Sequence, residues 1–122
     1  MLVTKKGFTL IETLVALFII AILLATAIKA IGIATSSIRD NYIKEIAAWI
    51  ASNTYYKMKA DKTYPALGET SQVITEANVN FIVTVTTIET GNSYFRNSQI
   101  SVATQDQPNY VLFKTINFFS QY

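Results

Sequence analysis

Cysteine and histidine are both absent from this 122-residue chain. Without cysteine there is no disulfide and no thiolate chemistry, and no particular redox compartment is required. Without histidine, catalytic triads, imidazole bases and most zinc sites fall away together. Proline occurs twice and glycine four times, so few positions force a break in a regular element. Charge is scarce as well. Ten Lys and Arg face eight Asp and Glu, and the surplus rests on Lys5 and Lys6. Past residue 7 the signs balance, which leaves no basic field for nucleic acid. Asp106 has only Gln105, Gln107 and Asn109 around it, and Glu69, Glu76 and Glu89 are scattered. That is too little charge for a tight hard-cation site. No catalytic residue, metal or cofactor is expected, and the chain does not read as an enzyme.

What the chain does have is one long apolar run. Residues 8–28 are apolar on all sides, from Phe8, Leu10 and Ile11 to Leu23, Leu24 and Ile28. At 1.5 Å per residue a helix of that length reaches about 30 Å, the thickness of the hydrocarbon layer. Lys5 and Lys6 on its amino side favour a cytoplasmic amino end, with the carboxyl end across the membrane. One acid, Glu12, interrupts the start of the run. An acid at the centre of a spanning helix costs roughly 2.5–3.5 kcal/mol on insertion scales. Such a residue needs a partner or a task.

From Ile28 the pattern changes. Apolar positions fall at Ile28, Ile31, Ile38, Tyr42, Ile46, Trp49 and Ile50, with Gly32 and Thr35 filling the stripe. Steps of three and four are the mark of an amphipathic helix, and Arg39, Asp40, Lys44 and Glu45 fall off the stripe. Gly32 alone, at about 1 kcal/mol against alanine, is too weak to end it. The pattern predicts a single helix from about Thr9 to about Met58, about 75 Å long. Tyr64-Pro65 and Gly68 then mark turns.

Beyond the turns the pattern is that of strands. Asn80 to Ile88 is β-branched and alternating, with Phe81, Val83 and Val85 on one face. Ser98 to Thr104 alternates again, and Tyr110 to Phe119 supplies an aromatic-rich last strand. Gln72 to Thr75 is a candidate short strand, Gly91-Asn92 a turn, and Gln105 to Asn109 a loop. The spacing predicts an antiparallel meander, and so an α+β chain: one long amino-terminal helix on a small antiparallel sheet.

Three readings of the amino end stay open on these residues. A secretory signal peptide would use the small-x-small site at Ala25-Thr26-Ala27, leaving a soluble secreted binding domain that begins at Ile28. A plain single-pass anchor explains the length but not Glu12. The third reading rests on likeness. Lys6-Gly7-Phe8-Thr9-Leu10-Ile11-Glu12 resembles the leader and processing site of type IV pilins and of the pseudopilins of type II secretion. Gly7, Phe8, Thr9, Leu10 and Glu12 each match that pattern in place. Further on, Ala48-Trp49-Ile50-Ala51-Ser52-Asn53 is similar to a segment of the I-type minor pseudopilin, as are the small size and the aromatic last strand. Ser52 departs from it, an acid being commoner there.

The resemblance implies a leader of residues 1–7, cleaved between Gly7 and Phe8 by a prepilin peptidase, and N-methylation of Phe8. It implies a transmembrane and assembly half over residues 8–29, an amphipathic periplasmic half over 30–60 and a sheet domain over 61–122. It implies an inner-membrane protein and a hetero-oligomer with J-type and K-type minor pseudopilins, the major pseudopilin and the inner-membrane assembly platform. Glu12 is then the register residue. Four residues put it about 6 Å along the helix from Phe8, so a neighbour shifted by that rise would set its new ammonium beside the carboxylate. Ile38, Tyr42, Trp49 and Asn53 are the candidate contacts with partner helices. A minor pilin of a type IV pilus or DNA-uptake system is the alternative. Trp49 and Asn53, four apart, also fit a core aromatic with a polar neighbour.

Overall fold

The computed structural model describes residues 4–121. Met1–Val3, part of the expected leader, lie outside the described residues. The elements are α1 (Leu10–Ala60), β1 (Gly68–Glu76), β2 (Val79–Glu89), β3 (Phe95–Thr104) and β4 (Gln107–Ser120). The chain divides into two compact units, Met1–Arg39 and Asp40–Tyr122.

The first unit is the start of α1 and the residues before it. Every described side chain in it is exposed. The threonine hydroxyls of this apolar stretch turn inward to their own backbone. Thr26 Oγ1 donates to the Leu23 carbonyl at 2.8 Å and Thr35 Oγ1 to Ile31 at 2.9 Å. A hydroxyl satisfied this way can face lipid without an orphaned donor.

The second unit contains the remainder of α1 and a four-stranded antiparallel meander in the order β1-β2-β3-β4. The sheet has one face against the helix. Ala47, Ile50 and Ala51 meet Phe81, Val83, Ile100 and Val102, with Ile43, Ile46 and Tyr55 packed at the margin. Alanines at 47 and 51 let the helix backbone approach the sheet, while Ile50, 3% exposed, fills the gap between them. Tyr55 meets Phe119 edge-on at 5.7 Å. On the same sheet face the Thr87 and Ser98 hydroxyls pair at 2.9 Å, which satisfies two buried polar groups across β2 and β3.

The core stripe therefore runs Ile43, Ile46/Ala47, Ile50/Ala51, Thr54/Tyr55. This is rotated from the expected one. Tyr42 and Trp49, counted there by size, are each 57% exposed. The fit of helix to sheet is made by small residues instead.

Helix α1 ends in a Schellman arrangement. Thr63 N–H donates to the Met58 carbonyl at 3.0 Å and Lys62 N–H to Lys59 at 3.1 Å. Lys62 takes the left-handed conformation, φ 50°, where glycine is usual. The segment that follows is clamped to the sheet. Arg96 Nη1 donates to the Pro65 carbonyl at 2.6 Å, and its guanidinium lies 4.2 Å from the Tyr64 ring centroid. Tyr64 OH donates to the Ser93 carbonyl at 3.0 Å.

Strand boundaries differ from the expectation most at β1, at β4 and at β3, which begins at Phe95 rather than Ser98. The candidate strand Gln72–Thr75 is a nine-residue strand, Gly68–Glu76, paired with β2 without a break in register. Its hairpin turns on Ala77 and Asn78, both left-handed at φ 49° and 61°, a type I′ turn without the usual glycine. The expected loop over residues 105–109 is confined to Gln105 and Asp106, and β4 already begins at Gln107. Pro108 is accommodated because the β3–β4 register shifts beside it: Ala103 pairs with Val111 but Thr104 with Gln107. A bulged edge strand has no need of the missing N–H.

Candidate functional site

In the first unit the helix begins at Leu10, and residues 4–9 are not helical. The expected scissile bond, Gly7–Phe8, thus lies in irregular backbone. Phe8 is 93% exposed. Thr9 and Glu12 are bonded to each other in both directions. Thr9 N–H donates to Glu12 Oε2 at 3.2 Å, and Glu12 N–H donates to Thr9 Oγ1 at 3.3 Å. This is a capping box, a threonine followed three residues on by glutamate. It satisfies two of the amides that a helix start leaves unpaired. A carboxylate at this end also opposes the positive pole of the helix.

Glu12 is therefore not without a partner, as its place in an apolar run implied. The signal was legible in the order Thr9-x-x-Glu12, which the membrane reading of this segment passes over. Around Glu12 the surface is apolar and uncovered. Ile11, Val15 and Ile19 flank a shallow notch of about 320 Å³ at Ala16. The helix is long and apolar enough to cross a membrane, and its large side chains from Leu10 to Leu24 are all about half exposed or more. Such a surface has to be met by lipid or by other helices.

The expected partner contacts are all exposed. Ile38 stands on the first unit, at 70% exposure, while Tyr42, Trp49 and Asn53 stand on the second. The structure corrects the reading of Trp49 as a core aromatic, because its ring lies outside the packed cluster. It brings two of these residues together. Trp49 and Asn53 line one side of an open groove of about 660 Å³, continued by Lys57, with Thr70, Gln72 and Ile74 of β1 on the other side. Tyr42 does not reach it. Among the described residues no cluster of three or more acidic side chains could hold a metal ion.

Two family descriptions match the sequence. Residues 44–119, more than half of the chain, match "Type II secretion system (T2SS), protein I". Residues 3–28 match "Prokaryotic N-terminal methylation motif". No curated protein matches the chain. The first match covers most of the folded second unit, and the second covers the apolar helix start with its capping box.

Proposed function

The chain belongs to the type II secretion system protein I family, and from that footing we propose that it is a minor pseudopilin of the pseudopilus tip, priming assembly for protein export from the periplasm. Its family is a structural component of a multi-protein pseudopilus, and its methylation motif is that of chains processed by prepilin peptidase. In the proposed cycle the peptidase removes residues 1–7, and Phe8 becomes the methylated amino terminus. Residues 8–29 hold the chain in the inner membrane with the amino end cytoplasmic. Residues 30–60 and 61–122 stand in the periplasm. Assembly draws the apolar segment out of lipid and buries it against the helices of J-type and K-type minor pseudopilins and the major pseudopilin on the inner-membrane platform.

The work is mechanical and templating, with no catalysis by this chain. Glu12 sets the register by receiving the ammonium of the adjacent subunit, where a charge pair offsets much of the cost of a lone carboxylate in low dielectric. Tyr42, Trp49 and Asn53 offer contact groups on the folded unit, and Ile38 on the apolar one.

The match over residues 44–119 is what carries this reading. A minor type IV pilin would share the motif over 3–28, so the folded part favours secretion over a pilus. The intact mass of the mature protein and its co-purifying partners test both points. A mature chain beginning at Phe8, bound to J-type and K-type subunits, is the expected result. A mature chain beginning at Ile28 would make it a secreted soluble domain, and type IV pilus subunits as the partners would make it a minor pilin.

A further inference from the structure

The two edges of the sheet are not alike. On β4, Pro108 and the shifts of register around residues 103–104 break up the row of donors and acceptors over residues 107–111, and Lys114 sets a charge on the regular remainder, 113–120. These are the features that keep an edge from pairing. β1 has none of them. Its sequence, Gly-Glu-Thr-Ser-Gln-Val-Ile-Thr-Glu, holds no proline, lysine or arginine, and all nine residues pair with β2 in unbroken register. The type I′ turn at Ala77-Asn78 makes Glu76 and Val79 a hydrogen-bonded pair. Alternation back along the strand then turns N–H and C=O of Thr75, Val73, Ser71 and Glu69 away from β2. Four residues of open ladder are thus presented on one edge.

The groove lies beside the inner face of that same strand. A strand added next to β1 would sit about 4.8 Å beyond it. Its alternate side chains would drop against Ile74, Gln72 and Trp49. The charges select the occupant. Glu69 and Glu76 lie on β1 and Asp61 borders the groove, and among the described residues lining it Lys57 is the single cation. A second copy of β1 would bring two more carboxylates and no cation, whereas a strand bearing lysine or arginine offsets them.

We propose that the free edge of β1 takes up an extended, cation-bearing strand of a neighbouring pseudopilin, whose inward side chains fill the groove between β1 and Trp49. Main-chain pairing supplies the affinity and the groove supplies the selectivity, as in other strand-addition interfaces. The inference rests on the assembly role proposed above.

Hydrogen exchange on the full-length chain in detergent, alone and in complex with co-expressed minor pseudopilins, tests it. The amides of Glu69, Ser71, Val73 and Thr75 should slow at least tenfold in the complex, while those of Thr70, Gln72 and Ile74, already bonded to β2, stay unchanged. Equal exchange of the four outward amides in a complex that does form would overturn the inference and leave the assembly role standing. Failure to form any such complex would remove the assembly role, and the inference with it. Protection in the chain alone that grows with concentration would mean self-pairing and would equally overturn it. Val73→Pro deletes one outward donor while sparing the ladder to β2, and should weaken co-purification at least tenfold at unchanged unfolding temperature. Val73→Thr should not. Wild-type co-purification of a folded Val73→Pro chain would also sink the idea, and if that variant unfolds, the exchange result on the native chain decides.

Discussion

Trp49 and Ile50 are neighbours in sequence with opposite surroundings, and truncating each to alanine should have opposite consequences. Ile50 is 3% exposed and belongs to the core cluster with Val83 and Ile100. Ile50→Ala removes three carbon atoms, worth about 0.8 kcal/mol each by transfer. The rigid sheet opposite leaves a cavity behind, which brings the loss to about 3–4 kcal/mol, within the usual range for such truncations. For a small domain of marginal stability that is a large share of the total. Trp49 is 57% exposed and lies outside the cluster, so Trp49→Ala should cost no more than about 1 kcal/mol of stability. An exposed tryptophan beside a groove is, however, the kind of residue that anchors an interface, where truncation typically costs about 2 kcal/mol or more of binding. Thermal unfolding of the purified full-length proteins in detergent should separate the two variants by many degrees. Co-purification with minor pseudopilins should fail for Trp49→Ala while the chain stays folded. If Trp49→Ala unfolds as early as Ile50→Ala, the assignment of the helix faces is wrong. If it is stable and still binds as wild type, Trp49 is no anchor.

Three further outcomes follow from local geometry. Glu12→Gln keeps a side chain able to complete the capping box but carries no charge. It should be processed normally yet fail to enter the assembly, as should Glu12→Ala, and wild-type incorporation of the glutamine variant, read by co-purification, would show that charge is not what Glu12 supplies. Lys62→Gly relieves a left-handed lysine at the helix end and should raise stability by about 0.5–1 kcal/mol in a denaturant titration. Arg96→Ala removes a charged hydrogen bond and a stacked cation. A loss of about 2 kcal/mol, with faster proteolysis at residues 61–67, is the expected reading.

The long helix and the two inner strands could be read from sequence because each has a single surrounding and a clean period. Sixteen uncharged residues with no glycine or proline admit little but a helix. β2 and β3, covered on one face, alternate as half-buried strands must. β1 is legible only in part because it is an edge: Gly-Glu-Thr-Ser-Gln is polar on both faces and shows no period. Its turn, Ala77-Asn78, lacks the Asn-Gly signature that flags a hairpin. Pro108 reads as part of a loop because a proline inside a strand is tolerated only at a bulged edge, and no local signal announces the bulge. The stripe of large apolar residues is rotated from the packed face because the sheet is approached by small residues. Tyr42 and Trp49 are the largest side chains of that stretch, yet a helix lying on a sheet prefers the alanines. The groove, built from residues twenty apart, left no trace in any window.

The capping box changes the energetics of carrying Glu12 in an apolar helix. A lone carboxylate in lipid would drive pairing by the full cost of its burial. Here the Thr9 amide already accompanies it at 3.2 Å, and because the bond spans only three residues it survives wherever the helix goes. In the proposed register an incoming ammonium at about 4 Å, in an effective dielectric of about 20, would gain about 4 kcal/mol, but if it displaces the cap it would forfeit about 1 kcal/mol. The net of about 3 kcal/mol corresponds to a preference of about two orders of magnitude for the paired register. That is enough to select one stagger of subunits over its neighbours. In the proposed cycle it is also small enough for the unassembled chain to rest in the membrane before a neighbour arrives. A Thr9→Ala chain loses the hydroxyl half of the cap and should be harder to hold in that resting state, yet no less able to assemble. The opposite ranking, with assembly lost and membrane residence unchanged, would mean that Thr9 rather than Glu12 meets the neighbouring subunit.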